Sequence, residues 1–368
     1  MKKTFLLLIS FLLIWILSAC QVVVESNNQI TTTSLYTNTW NEDNILTPTN
    51  SIITHAPSFT ASQFITLTPT QSIISGLSSG EYILLNNDNK MMIYSEDGDI
   101  MGNINVNILG SASLSANNKI IVFSAGCCFT EPLYLYNINM ETLIEIPNSK
   151  GCMSPDWMPD EEHIIASCDS EASDSDIHIE LFLLSIDGSE KKQITDCLKI
   201  HPYKDKMLCG IKHPLISPDG KWLLFDYIDM VSFQPRDMQI RLLETNCLNM
   251  PETCIEKSLR FISVGDREEY FTSSWAPDSL LLAMIKPYDE NTQSTGIKIY
   301  NMINLQMKEY IETSTNSEDD IIDVAWSPSG NNIAYTMLSG LYIYSLSDRT
   351  HYKLSNEIGS VLLYLLIR

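Results

Sequence analysis

From Leu114 onward, the hydrophobic and polar positions of the chain repeat in a fixed order. An aromatic or aliphatic residue comes first, then a small residue, then Pro, then Asp or a substitute. A few polar residues follow, and then an apolar run. The order appears at Trp157-Met158-Pro159-Asp160 before His163-Ile164-Ile165-Ala166, and at Ile216-Ser217-Pro218-Asp219-Gly220 before Trp222-Leu223-Leu224-Phe225. It returns at Trp275-Ala276-Pro277-Asp278 before Leu280-Leu281-Leu282-Ala283, and at Trp326-Ser327-Pro328-Ser329-Gly330 before Ile333-Ala334-Tyr335. Leu114-Ser115-Ala116-Asn117 before Ile120-Ile121-Val122-Phe123 is a degenerate copy. Each copy predicts two antiparallel strands around a tight turn, with Pro presetting φ and Asp accepting turn hydrogen bonds.

A third apolar segment follows most copies, over residues 133–136, 179–185, 238–243, 296–300 and 341–344, and a fourth strand is expected after polar turns such as Asp187-Gly188. Four short antiparallel strands per unit of 43 to 59 residues is the sequence signature of a β-propeller blade. Residues 81–103 lack the Pro-Asp turn but show three strand-like segments around Asp97-Gly98, which makes a sixth unit. The apolar segment 361–367 reads either as the missing strand of the first unit, closing the ring, or as the start of a further repeat. Helix-period segments are almost absent.

These Trp-Ser-Pro-Asp-Gly-like turns resemble those of the TolB-like propellers, and the resemblance covers residues 76–368 with five recognisable turns. It implies an all-β fold of six four-stranded blades. Trp157, Pro159, Asp160, Pro218, Asp219, Trp275, Pro277, Asp278, Trp326 and Pro328 are read as structural turn residues, the Trp rings packing between neighbouring blades rather than serving as ligand platforms. TolB-like proteins carry an additional N-terminal α/β domain. This chain carries something else there, so their partner is not transferred to it.

Lys2 and Lys3 precede an apolar stretch over residues 5–17, too short for a comfortable membrane span and right for a signal-peptide core. Leu17-Ser18-Ala19-Cys20 then resembles a bacterial lipobox, which predicts removal of residues 1–19 and lipidation of Cys20. Residues 20–75 are rich in Ser, Thr, Asn, Gln and Pro, with Leu46-Thr47-Pro48-Thr49 recurring as Leu67-Thr68-Pro69-Thr70, and read as a disordered tether. The address is the bacterial cell envelope, outside the cytoplasmic membrane. The absence of Asp after Cys20 favours the outer membrane if the host has one.

Composition sharpens this picture. The 368 residues include 23 Lys plus Arg against 45 Asp plus Glu, a net charge of −22, which argues against nucleic acid and against docking on anionic lipid through a basic patch. Nine Cys less Cys20 leave eight, an even number that suggests disulfides in an exported protein. Cys197 with Cys209 and Cys247 with Cys254 are the favoured pairs. Cys127, Cys128, Cys152 and Cys168, placed in loops, could combine in three ways. Cys197-x3-His201 and Cys209-x3-His213 have a loose zinc-like spacing, but an oxidising compartment consumes thiols, so no metal is assigned.

Catalytic signals are weak. Gly76-x-Ser78-x-Gly80 matches a nucleophile elbow, yet a tether precedes it and a strand follows it. There is no phosphate-binding loop, dinucleotide fingerprint or HExxH. The acidic stretch holding Asp169, Glu171, Asp174 and Asp176 is a loop that could take calcium but lacks the EF-hand arrangement. No catalytic residue and no cofactor is assigned. The expectation is a monomeric, non-enzymatic, lipid-anchored propeller. It binds an envelope or extracellular protein or peptide, basic in character, at the face carrying the long inter-blade loops. The alternatives are a propeller hydrolase with a metal in the central channel and a glycan-binding surface lipoprotein.

Overall fold

A computed structural model describes residues 76–367 except 88–89, 107, 109, 127–129, 171–178, 198–207, 232–233, 250–258, 264–271, 290–292, 317–318 and 360. The signal segment, Cys20 and the tether lie outside the described residues, as do Glu171, Asp174 and Asp176 of the acidic loop.

Among the described residues, twenty-four strands form six antiparallel units of four. Sheet 2 comprises β4 (Ala112–Leu114), β5 (Ile120–Ser124), β6 (Leu133–Asn137) and β7 (Thr142–Glu145). Sheet 3 comprises β8 (Cys152–Trp157), β9 (His163–Asp169), β10 (Ile179–Ser185) and β11 (Lys191–Gln193). Sheet 4 comprises β12 (Leu208–Ile216), β13 (Trp222–Val231), β14 (Gln234–Glu244) and β15 (Leu259–Ser263), with a short 3-10 helix at Thr245–Asn249. Sheet 5 comprises β16 (Ser273–Trp275), β17 (Leu281–Asp289), β18 (Ser294–Asn301) and β19 (Gln306–Ser314). Sheet 6 comprises β20 (Ile321–Trp326), β21 (Asn332–Met337), β22 (Gly340–Ser345) and β23 (Thr350–Ser355).

Sheet 1 is assembled from both ends of this region. β1 (Gly80–Asn87), β2 (Lys90–Ser95) and β3 (Ile100–Ile104) continue in chain order, while β24 (Val361–Ile367) pairs antiparallel with β1 from Gly80↔Ile367 to Asn86↔Val361. β24 therefore fills the place that β4, β8, β12, β16 and β20 fill in the other sheets. Of the two readings of residues 361–367, the structure has the pairing one.

The strands are nearly continuous apolar runs because both faces of a sheet are covered. In β22, Leu341 and Ile343 enter the core between sheets 6 and 1, whereas Tyr342 and Tyr344 turn toward the core between sheets 5 and 6. The two-residue period of the strand thus feeds two cores at once.

The five Pro-Asp-type turns share one geometry. Residue 118, 161, 220, 279 or 330, the fourth of its turn, has positive φ (59°, 59°, 72°, 61° and 78°), and its amide returns to the first carbonyl of the turn. Three of the five are Asn, Glu and Ser, so the register overrides a preference that glycine satisfies at no steric cost. Gly220 is needed for a second reason: a Cβ there would lie 2.7 Å from Pro159 Cγ in the neighbouring turn. The third residue of each turn accepts from the amide two positions on. Asp160 Oδ1 takes Glu162 N at 3.0 Å, Asp219 Oδ1 takes Lys221 N at 3.1 Å and Asp278 Oδ1 takes Leu280 N at 2.9 Å. Asn117 and Ser329 do the same for Lys119 and Asn331.

Contacts pass from each sheet to the next. Asn117 donates its amide and its Nδ2 to Glu161, at 2.5 and 2.6 Å, joining sheets 2 and 3. Asp219 N donates to Ser279 Oγ at 2.9 Å between sheets 4 and 5, and Ser329 Oγ donates to Glu81 Oε2 at 3.1 Å between sheets 6 and 1. Leu366 N donates to Asn118 Oδ1 at 3.1 Å, joining sheet 1 to sheet 2. Trp157, Trp275 and Trp326 are all buried, and the first two donate Nε1 to Ser113 O and Leu215 O of the preceding sheet.

Candidate functional site at the junction of the third and fourth sheets

The turns described above sit at one end of five of the six sheets, sheet 1 having none. At the opposite end, where the second strand meets the third and one sheet leads into the next, sheets 3 and 4 differ from the rest. β10 and β12 pair in parallel at Ile179↔Gly210, which fuses the two units into a single eight-stranded sheet.

Cys152 opens β8 and faces Cys168 across the ladder in β9, and the two form a disulfide. The sequence reading placed both in loops. They lie instead in paired strands, because the apolar ladder runs on through Ile165, Ala166 and Cys168 to Asp169, whose amide bonds Gly151 O at 2.9 Å. Cys197, fully buried in the core between the two sheets, is also disulfide-bonded. Cys127, Cys128 and Cys254 lie outside the described residues, as do the side chains of Cys209 and Cys247.

Beside Cys197, Glu180 is 2% exposed. Its carboxylate accepts the Thr195 hydroxyl at 2.7 Å and the Cys197 amide at 2.8 Å. Burial outweighs both donors and pushes its pKa up to about 7, and Asp196 adds to the rise. Glu180 therefore anchors the start of the connection from β11 to β12 by replacing water around two backbone-linked donors.

β12 then bulges between Lys212 and Leu215. The bulge holds His213 at φ 50° and lets its Nδ1 donate to Asp226 Oδ2 at 2.8 Å. Asp226 is 6% exposed, and the His213 side chain keeps a third of its surface open. Lys212 faces Asp226 in the ladder; its burial lowers its pKa, and Asp226 partly restores it. On the other side of the sheet Arg241 lies over the Tyr227 ring at 5.4 Å and donates Nε and Nη2 to Gln239. His213 and Asp226 form an oriented imidazole, but no described contact brings them a hydroxyl nucleophile. Ser78, the candidate elbow serine, instead lies 3.1 Å from the Tyr82 hydroxyl, far away in the chain.

Of the zinc-like set, Cys197 is in a disulfide and His213 Nδ1 bonds Asp226, while His201 and the Cys209 side chain lie outside the described residues. Among the described residues no group of three or more His, Cys, Asp or Glu side chains is arranged to hold a metal ion.

The sequence reading missed a second set of residues. Apart from β12, which pairs with β10 at one end, the first strand of each sheet has one edge without a partner strand, and amides on that edge need acceptors. Asp156 Oδ2 takes Ile216 N at 2.6 Å from the next sheet and Asp156 Oδ1 takes Ser113 Oγ at 2.5 Å from the previous one. Ser274 Oγ takes Trp326 N at 2.9 Å, and Asp323 Oδ2 takes Leu362 N at 2.8 Å. Burial raises Asp156 to about 6 and Asp323 to about 7. A usable signal was present in the sequence, namely a carboxylate inside an otherwise apolar segment, one residue before Trp157 and three before Trp326.

Comparison with known proteins bears on the fold alone. No protein-family model and no curated protein matches the chain. Among solved structures, TolB from Acinetobacter baumannii is 16% identical with a TM-score of 0.54, over 81% of this chain and 68% of that one. A putative TolB from Agrobacterium tumefaciens is 13% identical with a TM-score of 0.51, over 79% of this chain and 99% of the other. A chain of a nidogen/laminin complex is 9% identical with a TM-score of 0.52, over 78% and 99%. With six four-stranded units, shared turn geometry and these structural neighbours, the described region has the fold of a TolB-like β-propeller.

Proposed function

We propose that this chain is a lipid-anchored, extracytoplasmic, non-enzymatic propeller of six blades closed into a ring, and that it binds a protein or peptide at the loop end of sheets 3 to 5. The observation that carries this reading is the unequal reach of the second strands. β5 ends at Ser124, six residues past the positive-φ residue Asn118, whereas β13 ends at Val231, eleven past Gly220. β17 ends at Asp289, ten past Ser279. At about 3.3 Å per residue, β13 and β17 run roughly 13–16 Å further from their turns than β5 does. A regular ring gains nothing in stability from hairpins that leave its cores, so the projection points to a partner.

Three further features support the reading. The disulfides fit an oxidising compartment. Gly76 leads into β1 at the turn end of sheet 1, the end opposite the second-to-third strand hairpins. The net charge of −22 favours a basic partner and binding that weakens as salt rises. In-cell crosslinking of the tagged full chain, beside a Cys20→Ser control, tests it. Capture of one envelope protein by the anchored form alone is the expected result. A folded protein that captures no protein partner in either form overturns the proposal.

A further inference from the structure

On the face of sheet 6 that turns toward sheet 5, a buried phenol is tied to a histidine of the outermost strand. Tyr335 of β21 is 1% exposed, and its hydroxyl lies 2.8 Å from His351 Nδ1 of β23. Among the described residues this is the hydroxyl's one hydrogen bond. Burial raises the phenol's pKa further, so it keeps its proton, and that proton needs an acceptor. The His351 ring stands at right angles to the Tyr335 ring, with centroids 5.9 Å apart, and lies 4.8 Å from the Tyr344 ring. Tyr342 stacks on Tyr335 at 5.3 Å. Three tyrosines thus form a bed for one imidazole, while His351 as a whole is exposed.

The imidazole can accept that proton's hydrogen bond only while it is neutral. One ring nitrogen is then a donor and the other an acceptor, whereas both are donors in the protonated ring. Protonation turns Nδ1 from acceptor to donor and leaves the Tyr335 proton buried without an acceptor, at the full desolvation penalty of that group. Charges nearby act in both directions. Lys353, two residues along β23, holds Nζ 5.6 Å from the centre of the Tyr342 ring, and Arg349 precedes the strand; both oppose a further cation. Glu309 of β19 accepts the Tyr344 hydroxyl at 3.4 Å, and that ring face favours a cation. Asp319 accepts the Ser339 hydroxyl at 3.0 Å, and Ser339 Oγ lies 2.9 Å from the Tyr342 hydroxyl. Desolvation of the packed side of the ring holds His351 below the usual imidazole range.

β23 pairs with β22 on one side and with no strand on the other, and Thr350, His351, Tyr352 and Lys353 are all exposed. An edge of this kind opens at lower free energy than a core strand. We propose that the Tyr335–His351 hydrogen bond is an acid-sensitive latch, which holds β23 on sheet 6 while His351 is neutral and releases it when His351 is protonated. The sign follows from linkage. The folded chain holds the imidazole at a lower pKa than the unfolded chain does, so the latch contributes fully above the unfolded value of about 6.5 and is lost as pH falls through the folded one. That is opposite to a buried carboxylate, whose contribution is lost as pH rises. The latch does not depend on the binding face proposed above.

Two measurements on the full chain test it. In an NMR titration of the histidine rings, the signal missing from His351→Asn identifies His351, which should titrate below about 6.5. Tyr335→Phe removes the hydroxyl alone and should raise that pKa by about 0.4–1 pH unit. Hydrogen exchange then reads the strand. Corrected for intrinsic rates, the β23 amides of wild type should lose protection about 2- to 10-fold between pH 7.5 and 5, the equilibrium equivalent of that pH shift. His351→Asn keeps an acceptor near the Nδ1 position and cannot take up the charge, so its β23 should hold. If His351 titrates at or above the ordinary value, if Tyr335→Phe leaves it in place, or if β23 loosens equally in wild type and His351→Asn, the inference fails.

Discussion

The junction of sheets 3 and 4 and the junction of sheets 6 and 1 solve one problem with different means. At both, a buried Asp in the first strand accepts an edge amide of the next sheet, Asp156 from Ile216 and Asp323 from Leu362. The third–fourth junction adds main-chain pairing at Ile179↔Gly210 and the disulfide-bonded Cys197 in its core. The sixth–first junction has none of these. It depends on the seven residues of β24, on Asp323, and on the Glu81 and Glu96 contacts. Asp323, with fewer donors from other sheets, rises to about 7 against about 6 for Asp156. One junction thus has main-chain pairing and a disulfide-bonded Cys in its core, and the other is left to packing and hydrogen bonds.

The largest test of this contrast removes β24. Deleting residues 361–368 exposes Ile83, Leu84 and Leu85 of β1 and discards buried Leu362, Tyr364 and Leu365, each worth about 1.5–3 kcal/mol. Loss of a cooperative melting transition by circular dichroism is the expected outcome. A variant that still melts cooperatively near the wild-type temperature would show that sheet 1 does not need its inner strand. Next in size is the disulfide inside sheet 3, which packs in the core against sheet 2. The Cys152→Ser/Cys168→Ser double variant loses a bridge of sequence separation 16, and chemical denaturation should register a loss of about 2–3 kcal/mol, with the fold retained.

Smaller effects separate the two buried aspartates. Asp323→Ala leaves Leu362 N without its acceptor and should cost about 1–3 kcal/mol, while Asp323→Asn keeps an acceptor and should cost less. The pH profile supplies the sign. The folded-state values of Asp156, Glu180 and Asp323 lie above those of the unfolded chain, so folding takes up protons at these sites. Their favourable contribution is whole below about pH 4 and is lost as pH rises through about 6 to 7. Melting scans should therefore show these three groups lowering stability between pH 4 and 8, and Asp323→Asn should flatten the upper part of that slope. An unchanged slope would mean that Asp323 stays ionised in the folded chain. Least of all should be the change at Thr336, a buried hydroxyl without a partner on β21, which sheds a desolvation penalty when replaced by Val. Denaturant titration of Thr336→Val should show a gain of about 0.5–1 kcal/mol, and a clear loss would reveal a polar neighbour bound there.

By itself the sequence determined the unit of the fold. Turn residues act locally: Pro restricts its own φ, Asp reaches the amide two residues on, and an apolar run needs only its neighbours to become a strand. That is why the five turns, the strand order within each sheet and the sixth unit without a Pro-Asp turn could be read directly. Pairing of Val361–Ile367 with β1 was visible as one of two readings, since an apolar strand says that it needs a sheet but not which one. The candidate site was less legible. The connection after Cys197 was marked by length but was read on through His213, which lies in strand β12; Glu180 and Asp226 were not marked, because a strand covered on both faces has no polar side to betray where it points.

Only the tertiary structure decided which residues meet across the sheets. Asp156 touches residues 43 positions before it and 60 after it, and Asn118 touches Leu366 across 248 positions. Such pairings depend on the rotation of one sheet against the next, which no local pattern encodes. The same holds for Cys152 and Cys168, whose pairing follows from a strand register, and for Glu81 and Glu96, which accept hydrogen bonds from Ser329 and Asn332 of sheet 6. Short-range sterics set the blade, and long-range packing set the chemistry between blades.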